Sequence, residues 1–594
     1  MNLRRVVVSL LLAASPSLAS AQTCPVTTDA ATYPNPPLTY PMTSDRYAVQ
    51  YQLGGGGWTD AQVYITYYGG TNSSPFLSYS RYTHDTSISF ASIPTSASTA
   101  VALRVIKLWG SAFPAINHVW VRPRVKGIHV DSVSGDTVQL STAAAADFAG
   151  EQFILWWDGD TKESGGIQGL AFFLNPPYDR PTGSNVKTIA ASAALTGDLS
   201  HFDTLDFEGT VAVGGTGAQA FVVPANISNV FLAPGAWVQG KLRFEQSGAG
   251  HVRRLYGPGV LDVSRFSYMY RVCSSTSAYA DEGYDALSWL PLPAGTPGSP
   301  STPDSFLLDG IIVSDTNHYA TDLLVRSTVN NTKTISWNGN NDGLEFGLNT
   351  IASNVFVRSG DDSLKMWGSN ITVTNATVWQ NYNGGVVNLG WFDNSPGDGC
   401  LIDGLYVVKT DWFAPATLSW SITTLNWQNN AVVASLMVPG TNFGSLNPSV
   451  YRNIYVEDPP RVFLSLKIVP YACPLCALAN PAIADSVNLR LPSVLNLELE
   501  NVFTPASILD NSIGFQTLPA GYTFGSQTFP ESYTLTGSMN IGLTNVMVTL
   551  PDGTVTALTS ENAAVAGKVV TNGHHVNVGY AFVPDVRRHL RKVN

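Results

Sequence analysis

Charge is scarce in this 594-residue chain: Asp, Glu, Lys and Arg make up 13% of it, about half of what a soluble protein ordinarily carries. That scarcity excludes a disordered chain, which needs charge and few aromatics. It also argues against a helical bundle or coiled coil, which would need many Glu, Lys and Arg. Long apolar runs are missing too: beyond the first 21 residues no segment reaches the ~18 uninterrupted apolar residues of a spanning helix. Histidine is sparse, and none falls between His318 and His574. The pair His574-His575 has no clear partner, so metal chemistry is not indicated. No Gly-x-Ser-x-Gly elbow with suitably placed Asp and His marks a serine hydrolase. No Gly-Gly-x-Gly-x-Asp repeat marks a calcium-binding solenoid. The run from Gly54 to Gly57 precedes Trp58 in a strand-rich region and reads as a turn rather than a phosphate cradle.

What is abundant is glycine (52), proline (36) and aromatic residues (11%). With Ser, Thr, Val and Asn they suit strands joined by turns, hence a mostly β protein. Residues 1–21 read as a secretory signal: Arg4 and Arg5, an apolar stretch from Val6 to Ala14, and an Ala19-Ser20-Ala21 cleavage site. The net charge is −11, and losing the two signal arginines makes the mature chain more acidic. Such a chain gains nothing from a phosphate backbone and repels polyuronates, so a neutral substrate is expected and nucleic acid is not. The basic tail with Arg587, Arg588, His589, Arg591 and Lys592 holds too few charges to alter this. The five cysteines are Cys24, Cys273, Cys400, Cys473 and Cys476. An odd count leaves at least one unpaired or bridging chains. Cys473-Pro-Leu-Cys476 lacks the βαβ context of a redox motif and reads as a short-loop disulfide or two buried thiols. Glycan acceptor sequons stand at Asn72, Asn226, Asn330, Asn370 and Asn375.

Two textures divide the chain. Residues 22–180 carry alternating runs such as Arg46 to Leu53, Ala61 to Tyr68, Val101 to Leu108 and Gln152 to Trp157, and predict an antiparallel β-sandwich. The segment Asn175 to Ser184 breaks all periodicity and reads as a linker, and residues 181–200 are assigned to the connection with a second domain. Over 201–575, short β-branched triplets recur at about 20 to 25 residues between Asn, Asp and Gly, the spacing of a parallel β-helix. The clearest overlay sets Asn341-Asp-Gly-Leu-Glu-Phe346 on Asp361-Asp-Ser-Leu-Lys-Met366. It predicts Leu344 stacked on Leu364 in the core and Glu345 paired with Lys365 across coils. Residues 576–594 are expected to form a solvated tail.

The same overlay puts Asp342 over Asp362, with Asp361 beside it in the chain. Three crowded carboxylates cannot all ionise freely, and at least one pKa must rise. That separates a proton donor from bases, the equipment for glycosidic hydrolysis, unless the Asp residues only shape turns. Neighbouring side chains on a strand diverge, so Asp361 and Asp362 could act together only if a turn intervenes. Trp337, Trp367, Trp379, Tyr382 and Trp391 supply faces for sugar rings, or core packing. Asn340, Asn341, Lys365, Asn381, Asn383 and Asn388 supply polar partners.

The stretches Asn340 to Phe346, Gly360 to Thr372 and Val386 to Trp391 resemble glycoside hydrolase family 49, as do Phe231 to Gly240 and Gly257 to Leu261. That family comprises dextranases and isopullulanases. The resemblance implies a sandwich followed by a β-helix, hydrolysis of α-glucans with inversion, Asp361 as general acid, and Asp342 and Asp362 as the groups that activate water. Ser363, and the segment Gln380 to Gly385, depart from the family's pattern. A polygalacturonase-like enzyme fits less well, since its Gly-His-Gly and Arg-Ile-Lys segments are missing. A non-catalytic carbohydrate-binding β-helix is the alternative of another class, separable because binding would survive loss of Asp361.

The resulting expectation is an all-β, secreted protein with an N-terminal antiparallel β-sandwich followed by a right-handed parallel β-helix. It would act as a monomer, without a cofactor, on a neutral α-glucan, dextran before pullulan. Asp361, Asp342 and Asp362 would be catalytic. Lys365, Asn340, Asn341, Trp337, Trp367, Tyr382, Asn388 and Trp391 would contact substrate.

Overall fold

The computed structural model describes residues 43–582 apart from interior segments, the longest being 68–86, 265–284, 291–303, 413–429 and 470–490; the short segments 338–340 and 383 lie near the acids in sequence. The signal, Asn72, Asn340, the cysteines other than Cys400, and the basic tail from 583 onward therefore lie outside the described residues.

The N-terminal domain is a sandwich of two five-stranded sheets. Strand Val101–Lys107 shows why: Val101, Leu103 and Val105 are buried while their neighbours are half exposed, the alternation of a sheet with one wet face. Pairings are antiparallel except one, Leu170–Asn175 beside Ser87–Pro94, which run parallel. The second sheet differs in burial as well. Every residue of Gln152–Trp157 and Leu170–Asn175 is buried. Both of its faces are covered, one by the first sheet and one by the β-helix, so Phe153, Ile154, Leu155, Trp156 and Trp157 form an unbroken apolar run.

The second domain is a parallel β-helix. Its largest sheet has 21 strands among the described residues, running from Val186–Ile189 to Val576–Ala581, and a seven-stranded sheet forms another face. The core is a column of Leu, Ile, Val and Phe from successive coils. Both boundaries move from those expected. Val186–Ile189 already pairs in parallel with Thr204–Phe207, so the first coil starts inside the residues assigned to the connection. At the other end, Val576–Ala581 pairs in parallel with Gly537–Thr549, so the last coil takes up the start of the expected tail. The true connection lies near Tyr178 and Arg180, and it is pinned: Tyr178 Oη donates to Asp309 Oδ1 at 2.8 Å, and Arg180 Nε donates to Asp206 Oδ2 at 2.6 Å.

Asparagine shapes the coil corners. Asn349, Asn354, Asn370 and Asn375 hold φ between 53° and 58°, a region Asn tolerates better than other side chains. Their carboxamides stack in pairs, Asn370 Nδ2 donating to Asn349 Oδ1 at 3.1 Å and Asn375 Nδ2 to Asn354 Oδ1 at 2.6 Å. The turn-shaping role of Asn is therefore real along this edge.

The domains share an apolar core. Tyr64, Phe90, Trp156 and Phe173 of the sandwich pack on Trp237, Trp337, Phe356 and Trp379 of the β-helix. Trp156 and Trp379 lie 4.7 Å apart, and Arg358 stacks 3.7 Å from Trp337 and 4.8 Å from Trp379.

Candidate active site

Three consecutive turns, each leading into a strand of the seven-stranded sheet, build the site. They precede Leu344–Phe346, Leu364–Met366 and Val387–Trp391. The expected overlay matches the register, with Leu344 against Leu364 and Glu345 against Lys365. Backbone bonds lock the turns together: Gly343 N donates to Asp362 O at 2.8 Å, Asp361 N to Asn341 O at 3.1 Å, and Ser363 N to Gly385 O at 2.9 Å. Asp361 and Asp362 precede their strand, in a turn, so the alternation that would drive them apart does not apply. Asp342 lies in the neighbouring turn. All three are at least nine-tenths buried, Asp361 being the most exposed at 9%.

Each acid is held differently. Asp362 accepts from Gly385 N at 2.6 Å through Oδ1 and from Asn388 Nδ2 through Oδ2. Asp361 Oδ1 accepts from Asp362 N at 2.9 Å. Asp342 pairs with the ammonium of Lys365. Burial pushes the Asp342 carboxyl well above its ordinary range, and the charges of Asp361 and Asp362 push the same way against Lys365. Gly384 closes the wall, with φ +74° and its Cα so near that a Cβ would lie 2.2 Å from Asp361 Oδ1. Only glycine fits there without displacing the acid.

Lys365 is the electrostatic centre. It is 2% exposed, and its Nζ bridges Asp342 and Glu345, the latter at 2.5 Å. It sits 4.1 Å from the ring of Tyr319 and 4.2 Å from that of Trp367. Burial alone would lower its pKa; Asp342, Glu345, Tyr319 and Asp362 together outweigh burial and hold it well above the usual lysine range. Burial likewise raises Glu345 and Tyr319, with Lys365 opposing both.

The other expected substrate contacts separate. Asn388 is fully buried; besides holding Asp362, it accepts from Trp367 Nε1 at 3.3 Å and from Gly390 N at 2.8 Å. Asn341 is also fully buried and donates to His318 O at 3.3 Å. Both position the turns. Trp367 and Trp391 are partly exposed. Trp337 is corrected: it is 3% exposed in the interdomain core, and its Nε1 donates to Thr66 Oγ1 of the sandwich at 2.9 Å. Trp379 lies in the same core, fully buried. Tyr382 ends strand Thr372–Tyr382, but its side chain lies outside the described set, as does Asn383. Tyr319 was missed. The available signal was its offset from Asp342 of one coil, since Ala320 N donates to Asp342 O at 3.1 Å.

The sequons also separate. N-glycosylation leaves one hydrogen on the carboxamide nitrogen. Asn226 uses both, donating to Leu199 O at 2.9 Å and Phe202 O at 2.8 Å, and Asn375 donates to both Asn354 and Glu151. Neither can carry a glycan without losing a bond. Asn370 is exposed with one donor engaged, while Asn330 is half-buried and accepts from Ser353. Cys400 is a buried free thiol whose Sγ lies 3.2 Å from Gly368 O. No group of three or more His, Cys, Asp or Glu fit to hold a metal occurs among the described residues, and none of their helices is long and apolar enough to cross a membrane.

No family model matches the chain. Among curated proteins, it is 30% identical over 176 residues to a dextranase of Arthrobacter sp. (strain CB-8), covering 29% of this chain and 27% of that one. It is 27% identical over 396 residues to an isopullulanase of Aspergillus niger, covering 62% and 64%. The chain thus spans between about a quarter and two thirds of the length of these relatives. Among solved structures, Dex49A from Penicillium minioluteum superposes with a TM-score of 0.56 at 14% identity, over 92% of this chain and 96% of that one. At that identity the likeness speaks for the fold, and the sequence relationship rests on the curated proteins. The chain is thus similar in sequence to dextranases and an isopullulanase, and in fold to Dex49A.

Proposed function

We propose that this chain is a secreted, endo-acting glycoside hydrolase that cleaves α-glucosidic bonds of a neutral α-glucan with inversion, dextran being the first substrate. The observation that carries the reading is the trio of buried carboxylates on two adjacent turns. Asp361 would give its proton to the glycosidic oxygen as the C–O bond breaks. Asp342 and Asp362 would hold a water on the opposite face of the sugar and take its proton as the new C–O bond forms. Asp362, accepting at both oxygens, suits a base. Asp342 suits a base because the ammonium of Lys365, paired with it, favours its ionised form against the effect of burial. Lys365 holds Asp342 in place, and Trp367 and Trp391 offer partly exposed faces for sugar rings. Export is proposed on residues 1–21.

The relative with the longest alignment quoted above is named isopullulanase, so pullulan is the second reading. The test is reducing-end release by the purified mature protein from dextran, pullulan and polygalacturonate, with product anomers followed by NMR. Dextran should be cut, with the β-anomer appearing first, and Asp361→Asn should lower the rate by about 10³-fold or more. Release from pullulan alone would move the assignment to the second reading. Silence on all three, or a near-normal Asp361→Asn enzyme, would overturn the proposal.

A further inference from the structure

Ser359, Ser363 and Gln380 are fully buried beside the acids, and none has a part in the chemistry described so far. Ser359 ends strand Phe356–Ser359, and Gln380 is its register partner on the next coil. Ser363 directly follows the two acids. Gln380 Nε2 donates to the main-chain oxygen of Asp361 at 2.7 Å, and Ser359 Oγ donates to the same oxygen at 2.7 Å. Ser363 Oγ donates to Gln380 Oε1 and lies 2.7 Å from Ser359 Oγ. The amide of Gln380 is thereby fixed with its nitrogen toward Asp361.

The carbonyl of Asp361 and the N–H of Asp362 are opposite edges of one planar peptide unit, so neither can turn without the other. That N–H donates to Asp361 Oδ1 at 2.9 Å. Fixing the carbonyl therefore aims the donor that orients the carboxyl group. We infer that Gln380, locked by Ser363 and assisted by Ser359, is a positioning residue for Asp361: a clamp on the 361–362 peptide that keeps the proton donor aimed at the leaving oxygen.

The inference rests on the role proposed for Asp361, and two substrates separate the two. In dextran, the electron pair of the breaking C–O bond goes to a sugar oxygen that must receive the proton of Asp361. In α-isomaltosyl fluoride, the pair leaves with fluoride, which needs no proton; water still attacks carbon and gives its proton to the base. Gln380→Leu should lower kcat on dextran by about 30–100-fold with KM nearly unchanged, and lower the rate on the fluoride by less than about 5-fold. Ser363→Ala, a milder change that keeps Gln380, should show the same pattern at about 3–10-fold on dextran. It also answers the question should Gln380→Leu fail to fold. Asp361→Asn should keep fluoride hydrolysis, as an acid-deficient enzyme does. Equal losses on both substrates, or no loss on dextran, would overturn the clamp. A wild-type enzyme inactive on both substrates would overturn the hydrolytic reading and the clamp with it. An Asp361→Asn enzyme equally impaired on both would strike the acid role itself.

Discussion

Among the described residues, the β-helix holds two cations between aromatic rings, Arg358 at the interdomain core and Lys365 at the candidate site. Arg358 lies between Trp337 and Trp379 under the sandwich, and its Nη1 donates to the carbonyl of Ser336. Lys365 lies between Tyr319 and Trp367, bonded to two carboxylates. Both are almost fully buried, Arg358 and Lys365 each at 2%. Arginine suits the first place, because its planar, weakly hydrated guanidinium stacks well and always keeps its charge. Lysine suits the second, because a compact ammonium can be shared between Asp342 and Glu345. Ring faces alone therefore say little about carbohydrate binding. Nor does a nearby acid alone, since Arg358 acts on buried Asp315; what marks Lys365 is its place beside Asp342, on which Asp361 and Asp362 also act.

Removing each cation should break that symmetry. Lys365→Met leaves Asp342 and Glu345 buried without their counter-charge. A loss of about 3–5 kcal/mol is expected at neutral pH, with activity falling by more than about 100-fold as the base becomes protonated. The sign of the pH effect is fixed: both carboxyls would have folded pKa values above their unfolded ones, so the folded state binds more protons and regains stability as pH falls. Denaturant titration at pH 5 and pH 8 would reveal it, and equal losses at both would be the contrary result. Arg358→Met should act on the scaffold instead. It should cost about 2–3 kcal/mol, from lost stacking and a carbonyl left unpaired, while kcat below the melting transition stays within about 2-fold. A large drop in kcat would show that the interface is coupled to the chemistry.

The smallest effect is expected at Lys333, under the sandwich. Its Nζ donates to Asn175 of the sandwich and to Gly310 O at 3.2 Å, and burial lowers its pKa from 10.5 to about 7 against the pull of Asp309. Between those values the unfolded chain binds a proton that the folded one does not, so this group's contribution to stability rises with pH from about 7 to 10.5. The stability difference between wild type and Lys333→Met should therefore move in favour of wild type over that window. A flat difference would mean that Lys333 keeps its charge in the interface.

Much of this was legible in the residues. The overlay of Asn341 to Phe346 on Asp361 to Met366 gave the coil register and the Glu345–Lys365 pair, because in a β-helix neighbours in space are neighbours at a fixed sequence offset. The Asp trio was legible for the same reason. Trp337 and Trp367 were not distinguishable, because each borders a β-helix strand and only the docking of the sandwich covers one of them. The first coil at Val186 was hidden in a stretch whose Gly and Pro mask its short strand.

The sequence by itself determined the all-β class, the two domains, the coil repeat and the acids that the repeat brings together, since all of these are set by periodicity along the chain. Which aromatics are buried, that Lys365 also holds Asp342 besides Glu345, and that Gln380 grips the Asp361 peptide were decided by the tertiary structure alone. Burial and hydrogen-bond direction depend on what packs from distant coils and from the other domain, and no local pattern carries that information.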